Sequence, residues 1–236
     1  MRGSRRPRWR HCASRCATGA RERSRVRDPI RRLLEEQGWA DPGRALEQLS
    51  RHHDLLLTWN RTAHLVSAGD ASRRALIRHD LEALQALPYL AGHHTVVDVG
   101  SGGGFPALVW ACMRPDLELI LVESGARKAA FLREAVHRLA LDGVRVLHER
   151  LEDPGRLIEL NGDLWTSRAA GCGPLLRQAG AAGPAGLTLI LYAGVQDAGD
   201  PADAPVWEGV ADEPLVSGAA GRLVVLRRRG SSGPPA

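Results

Sequence analysis

Residues 95–106 have the sequence TVVDVGSGGGFP, an apolar run with one acidic residue, then a glycine-rich bend and a proline. The run at 95–99 predicts a β-strand, and Pro106 suits the first turn of a following helix. Glycines at 100, 102 and 104 allow the backbone to pass close beneath a ligand. The stretch therefore predicts a strand–turn–helix unit that can cradle a nucleotide-like ligand. A tight turn with only a structural role is the alternative.

Downstream of this unit, short apolar runs alternate with helical patterns, which is typical of a parallel sheet with crossover helices. We predict strands at residues 95–99, 117–123, 144–148, 164–167 and 187–192, and helices at 106–113, 126–141 and 174–182. Two further apolar stretches, 206–210 and 222–226, are separated by a turn-rich linker and predict a closing hairpin. The expected fold is α/β, with a seven-stranded sheet that is parallel except for this C-terminal antiparallel hairpin.

Upstream, the apolar residues between 29 and 90 recur at helical spacing. Three helices are predicted there, with breaks at 38–43 and 67–70 and a third helix at 71–87 that stops at Pro88. We therefore divide the chain into four parts. They are a disordered arm at 1–27, a helical segment at 28–92 that packs on the next domain, a ligand-binding domain at 93–229, and a disordered tail at 230–236.

The net charge of +5 is unevenly distributed along the chain. Residues 1–27 hold ten of the 32 basic residues and one of the 27 acidic residues, so the remainder has a net charge of −4. The arm has too few apolar residues to fold alone, and it could be an RNA-attracting tail, a start-site artefact or a targeting peptide. No apolar segment follows its arginines, which argues against a secretory signal. Any RNA-binding surface on the body must be local.

Membrane and metal functions are not expected from the composition. The apolar runs are far shorter than the roughly 20 residues that a membrane-spanning helix needs. The four cysteines lack the spacing of a metal site, and reduced thiols in the cytoplasm are the simplest interpretation. We expect a cytoplasmic protein, a monomer, without a metal.

Two carboxylates narrow the choice of ligand. Glu123 follows the glycines by about 20 residues, the separation at which a carboxylate reaches a ribose diol in such folds. Asp98 precedes the bend, where it would repel a dinucleotide pyrophosphate but attract ammonium and sulfonium groups. The pair favours S-adenosylmethionine (SAM) over NAD. A loop-orienting role for Asp98 is compatible with this.

Several separated motifs occur together: residues 97–106, Leu121-Val122-Glu123-Ser124, residues 127–134, Trp59-Asn60, Arg78-His79, Arg150-Leu151-Glu152 and Ser167-Arg168-Ala169. In this order they resemble the RsmG (GidB) family of bacterial methyltransferases, which modify a guanine of small-subunit ribosomal RNA at N7. The resemblance covers about residues 29–228. It implies a class I SAM-dependent methyltransferase fold, which is Rossmann-like, and small-subunit ribosomal RNA or the assembling subunit as partner.

The resemblance also implies roles for individual residues. The donor pocket would comprise Asp98, Gly100, Gly102, Gly104, Phe105, Glu123, Leu151, Glu152 and Arg168. Glu123 would take the ribose, and Leu151 and Glu152 would flank the adenine. Arg168 would lie beside the methionine end of the donor or the incoming base, which makes it the candidate catalytic residue. A solvated loop charge for Glu152 and a structural ion pair for Arg168 are the alternatives.

RNA contacts are expected from clusters of basic side chains. The candidates are Arg73, Arg74, Arg78, Arg127, Lys128 and Arg133, with a further cluster at 227–229. Any single one could instead be part of a solvated surface.

Guanine N7 carries a lone pair and no proton, so its attack on a sulfonium methyl needs no general base, and orientation can supply most of the catalysis.

The chain departs from the family pattern at four places. His64-Leu65-Val66 replaces a sequence that usually runs towards Asn-Leu-Thr, Glu82 replaces an Asp, Ala170 replaces an aromatic residue, and Ala193-Gly194 replaces Lys-Gly. The last change removes a cation expected near the substrate. Three alternatives follow: a member that binds SAM and RNA but transfers slowly or not at all, a small-molecule methyltransferase with the helical segment as a lid, and an NAD-dependent oxidoreductase.

Overall fold

The computed structural model describes residues 30–32, 34–35, 43–151, 154–168, 172–193 and 206–230. The predicted arm at 1–27 and the predicted tail beyond Gly230 lie outside these residues.

Within the described residues, seven strands form a single sheet in the order β3-β2-β1-β4-β5-β7-β6. The strands are β1 (Thr95–Val99), β2 (Glu118–Glu123), β3 (Val144–His148), β4 (Leu164–Arg168), β5 (Thr188–Ala193), β6 (Trp207–Pro214) and β7 (Arg222–Arg228). Strands β1 to β5 are parallel, whereas β7 pairs antiparallel with both β5 and β6. The predicted α/β fold with a C-terminal antiparallel hairpin is confirmed. Because β1 lies between β2 and β4, the strand order reverses there, which in such sheets is where ligands bind.

Six α-helices lie among the described residues. They are α1 (Gly43–Ala63), α2 (Arg73–Gln85), α3 (Ala107–Met113), α4 (Ala126–Leu139), α5 (Pro154–Glu159) and α6 (Cys172–Ala182). Short 3₁₀ helices span Ala68–Asp70 and Leu87–Leu90, and residues 30–32 and 34–35 are also helical.

The helix bounds differ from the sequence predictions for local reasons. Helix α4 ends two residues early because Ala140 adopts a left-handed conformation, with φ of 50°. Helix α2 begins at Arg73 because the Ser72 hydroxyl accepts a hydrogen bond from the Ala75 amide at 3.3 Å, which caps the helix. Pro88 does not follow directly on α2, since it lies in the second 3₁₀ helix. Helix α5 was not predicted, because six residues are too few to show a helical period.

The sheet is the middle of three layers, and its side chains alternate between two cores. Val96 and Leu121 belong to the core beneath α1 to α4, whereas Val97 and Ile120 belong to the core beneath α5 and α6. Helix α1 packs against α3 and α4, and α2 packs against α3. The N-terminal helices therefore cover one face of the sheet directly. None of the described helices is long and apolar enough to cross a bilayer.

Candidate functional site

The glycine-rich bend lies between β1 and α3 and is fixed against β2. The amides of Gly100 and Ser101 donate to the Val122 carbonyl at 2.8 and 3.2 Å. Gly100 and Gly104 have φ of 80° and 86°, values that side-chain-bearing residues rarely adopt. A Cβ on Gly104 would lie 2.4 Å from Leu108 Cδ1, whereas one on Gly100 would meet nothing within 4 Å. The bend is therefore closely packed against Leu108 at Gly104 and open at Gly100.

Glu123, at the end of β2, braces this bend with both of its carboxylate oxygens. Oε2 accepts a hydrogen bond from the Gly102 amide at 2.9 Å, and Oε1 accepts one from the Gly125 amide at 2.7 Å. The side chain is buried. The sequence separation thus places this carboxylate beside the glycines, as expected, and its contact with a ribose stays a prediction.

Three polar side chains meet at the carboxyl ends of the central strands. Asp98 on β1 lies beside Thr166 on β4, and Arg168 on β4 lies beside Tyr192 on β5. Within the described residues, Asp98 Oδ2, Arg168 Nη1 and the Tyr192 hydroxyl are buried and have no hydrogen-bond partner. Buried polar atoms normally have partners, so this cluster is a candidate site for a polar ligand.

Burial raises the pKa of Asp98 to about 7; the Ser101 hydrogen bond and the Arg168 charge oppose this rise, and the Glu123 charge adds to it. The carboxyl group is therefore close to half protonated at neutral pH. A cation placed beside it would restore its negative charge, since an opposite charge favours the ionised form. This is the electrostatic behaviour expected of a binding site for a positively charged ligand.

Arg168 is anchored on one side by α2. Its Nη2 lies 2.6 Å from His79 Nδ1 and forms an ion pair with Glu82. The His79 ring lies 5.2 Å from the Phe105 ring, centroid to centroid, so the Arg-His motif borders the glycine bend. The structural ion pair considered from the sequence exists, and Arg168 Nη1 is left over for another partner.

Sequence reasoning missed His52 on α1. Its Nε2 lies 2.8 Å from the Gly103 carbonyl, and its ring lies 5.0 Å from that of Phe105. Burial, with the neighbouring His53, lowers the pKa of His52 to about 3, so the ring is neutral and donates Nε2–H to that carbonyl. One signal was available: His52 interrupts the apolar stripe of Leu49 and Leu56, which are both buried.

Replacing His52 by phenylalanine is expected to lower the free energy of unfolding by about 1–3 kcal/mol, because the Gly103 carbonyl would be left buried without its donor. Phenylalanine keeps the ring packing against Phe105. Urea denaturation at pH 7 measures the effect, and H137F, at an exposed position on α4, is the control. Equal stability of H52F and H137F would show that the hydrogen bond does not hold the bend.

The predicted RNA-binding residues differ in their contacts. Arg73 forms an ion pair with Asp54, and Arg78 forms one with Asp70. Arg127 donates to the Thr62 carbonyl at 3.3 Å, and its side chain, like those of Arg74 and Arg133, is exposed. The further cluster at 227–229 ends β7, which runs opposite to β5, so it lies at the other end of the sheet from the bend.

The remaining candidates are described only in part. Leu151 is partly buried and packs with the core beneath α5 and α6. Glu152 and Ala170 lie outside the described residues. Within the described part of the chain, no three His, Cys, Asp or Glu side chains are grouped so that they could hold a metal ion.

Comparison with known families identifies the family of this chain. A family model described as GidB, rRNA small subunit methyltransferase G, matches residues 45–179. The chain belongs to this family. The matched range runs from α1 into α6 and includes the glycine bend, Glu123 and Arg168. The resemblance read from the motifs is thereby confirmed.

Relatives that carry the name ribosomal RNA small subunit methyltransferase G match about half of the chain. The one from Neisseria meningitidis serogroup C (strain 053442) is 40% identical over 125 residues, 53% of this chain and 58% of that protein. The one from Chromobacterium violaceum is 40% identical over 107 residues, 45% of this chain and 51% of that protein. The matches thus span somewhat more than half the length of these GidB relatives.

Solved structures share the fold at low sequence identity. The O-methyltransferase from Bacillus cereus in complex with SAH has a TM-score of 0.55 at 17% identity, over 77% of this chain and 91% of that one. A mutant of MtNAS in complex with S-adenosylmethionine has a TM-score of 0.54 at 16% identity, over 78% of this chain and 75% of that one. The GidB chain therefore has the class I SAM-dependent methyltransferase fold.

Proposed function

We propose that this GidB-family chain is a SAM-dependent methyltransferase that transfers a methyl group to N7 of a guanine in small-subunit ribosomal RNA. The observation that carries the proposal is the set of buried polar atoms without partners, Asp98 Oδ2 and Arg168 Nη1, beside the open glycine bend. It lies within the residues that match a family described as an rRNA methyltransferase.

The residues present fit SAM as the donor. Its amino-acid end carries an ammonium and a carboxylate, which complement the Asp98 carboxylate and the Arg168 guanidinium, respectively. Glu123 would receive the ribose hydroxyls at the bend, and Gly100 would allow the donor to approach the backbone. We assign the adenine to the side of Leu151 and Glu152, as the family resemblance implies.

When bound, SAM would supply an electrophilic methyl group on a sulfonium. The protein's own residues would then orient two partners: the bend and Glu123 would fix the donor, and Arg168, beside His79, would border the space for the base. A guanine N7 has no proton to remove, so the proposal assigns no general base. Catalysis would come from alignment of the reacting atoms and from a polar environment fixed before reaction.

We assign RNA binding to basic side chains near the bend, of which Arg74 and Arg127 are exposed and Lys128 is partly buried. Arg127 and Lys128 lie in the first turn of α4, shortly after Glu123, and Arg74 lies in the first turn of α2. These positions could contact phosphates on either side of a base that enters the site. Arg73 and Arg78 form ion pairs with aspartates. To bind RNA, each would have to leave its aspartate and pair with a phosphate.

The proposal is tested by incubating the purified protein with methyl-labelled SAM and small ribosomal subunits that lack the modification. We expect label in the ribosomal RNA, recovered as 7-methylguanine after hydrolysis, and at least a tenfold lower rate for R168A, since a displaced orienting group is costly. An active family member serves as positive control. Label in another nucleotide would overturn the assignment to N7, and no label would overturn the activity.

A second candidate is a family member that binds SAM and RNA without efficient transfer. It is favoured by Ala193, which is buried at the end of β5 and brings no cation to the site. Calorimetric binding of SAM together with unlabelled RNA in the transfer assay would support this candidate over the first.

A further inference from the structure

Glu82 on α2 connects three separate parts of the fold. Its Oε2 accepts a hydrogen bond from Arg168 Nη2 at the end of β4, and its Oε1 accepts one from Ser217 Oγ in the turn between β6 and β7. His79 Nδ1 lies 3.5 Å from the same Oε2 and 2.6 Å from Arg168 Nη2. The side chain of Glu82 is only 1% exposed, so these contacts replace its hydration.

The charge of Glu82 is retained in spite of this burial. Burial acts to raise the pKa of Glu82, but the contact with His79 and the charge of Arg168 outweigh it and lower the pKa to about 2. A buried carboxylate of this kind is stable only when it is paired and hydrogen bonded. Glu82 and Arg168 therefore act as one ionic unit.

Helix α2 and the 3₁₀ helix that follows it also contact the β6–β7 hairpin through residues other than Glu82. Gln85 Nε2 donates to the Pro214 carbonyl at 3.0 Å, and the Val216 amide donates to Gln85 Oε1 at 3.0 Å. The Tyr89 hydroxyl donates to Glu213 Oε1 at 2.5 Å. Because these three hydrogen bonds join the hairpin without Glu82, the interface alone does not account for the ionic contact between Glu82 and Arg168.

We infer that Glu82 is a positioning residue for methyl transfer: it holds the Arg168 guanidinium by Nη2 and leaves the Nη1 edge for the donor or the base. This inference rests on the proposed function. Ser217 extends the arrangement, because it holds the second oxygen of Glu82 and so fixes the direction in which the carboxylate meets Arg168. The turn between β6 and β7 thereby contributes to the site without touching the ligand.

The first test measures the position of Arg168 and requires no activity. Side-chain ¹H–¹⁵N spectra of the full chain, with the Arg168 signals assigned by their loss in R168A, report rotation of the guanidinium. We expect slow rotation in the wild type and in E213Q, and at least tenfold faster rotation in E82Q. The E213Q control removes a carboxylate charge from the same interface without touching Arg168. Unchanged rotation in E82Q would overturn the inference.

The second test is a double-mutant cycle on the rate of methyl transfer to small subunits. We expect kcat to fall about 10- to 100-fold in E82Q, the cost of a misplaced orienting group. We expect it to be unchanged in E213Q, and E82D to recover most of the loss. The double variant E82Q/R168A should be no slower than R168A alone. Multiplied effects in the double variant would show that Glu82 acts independently of Arg168, which contradicts the inference.

Melting temperatures of all variants separate these effects from instability, and E82Q is compared only with E213Q of similar stability. Absence of transfer by the wild type would contradict the proposed function alone, because the spectra still decide whether Glu82 positions Arg168. Transfer by the wild type with full activity of E82Q would contradict this inference alone.

Discussion

Replacing Asp98 by asparagine is expected to weaken SAM binding about 30- to 100-fold, the loss that accompanies removal of a charge from a buried hydrogen bond. Asparagine preserves the shape of the side chain and removes only the negative charge that would face a cationic donor. Isothermal titration calorimetry with SAM at pH 7.5 measures the effect. The affinity for the demethylated product, which lacks the sulfonium charge, should fall less.

The same substitution should remove a pH dependence. The pKa of Asp98 is raised to about 7, so in the free wild-type protein the carboxyl group is mostly neutral below that pH. Binding of a cationic donor favours the ionised form and must then release a proton. Wild-type affinity should therefore fall about tenfold for each unit that pH decreases below 7, whereas D98N should show a nearly flat profile between pH 5.5 and 7.

The matched control for this substitution is D142N, at an exposed position near the opposite end of the strands. It carries the same chemical change and should bind SAM like the wild type at every pH. If D98N and the wild type bound SAM equally well, the carboxylate would have only a structural role. Comparable unfolding curves for D98N and D142N would exclude misfolding as the cause of weak binding.

Replacing Gly104 by alanine is expected to lower the free energy of unfolding by about 2–5 kcal/mol and to prevent SAM binding in the protein that remains folded. Two costs combine: about 1–2 kcal/mol for a side chain at positive φ, and about 1–3 kcal/mol for an overpacked core. The second arises because the new methyl group would lie 2.4 Å from Leu108 Cδ1. Urea denaturation and SAM titration measure the two effects.

Gly92 provides a control that separates these costs. Its φ is 80°, close to the 86° of Gly104, and a Cβ there would meet nothing within 4 Å. G92A should therefore lose only the backbone contribution, about 1–2 kcal/mol, and bind SAM normally. Equal destabilisation of G92A and G104A would show that Leu108 can move away and that the bend is less closely packed than the structure indicates.

Much of the fold was predictable because its signals are local. The apolar runs of β1 to β5 and the glycines at 100, 102 and 104 carry their conformational preferences within a few residues. The strand at 206–210 proved longer, reaching Pro214, because pairing with β7 extends it beyond its apolar part. Ala140 in a left-handed conformation was not predictable, since alanine has no preference for it.

The two carboxylates of the candidate site were predictable from the sequence. The residues that hold the glycine bend and Arg168 in place were less so. Asp98 and Glu123 lie within local motifs, so the sequence alone predicted that both are close to the glycine bend. His52 and Glu82 act through contacts with residues that are distant along the chain, such as the 2.8 Å contact between His52 and the Gly103 carbonyl. No local pattern encodes such pairs. Glu82 was noticed only as a departure from the family, and its ion pair with Arg168 emerged from the fold.

The bracing of the glycine bend by Glu123 has a consequence for selectivity. Both of its oxygens already accept amide hydrogen bonds, so the carboxylate is immobile before any ligand arrives. A ribose would meet an acceptor of preset direction, which avoids the roughly 0.5–1.5 kcal/mol that ordering a flexible side chain costs on association. Rigidity of this kind penalises near-matches: a nucleoside without one hydroxyl would lose a hydrogen bond that no change of rotamer could replace.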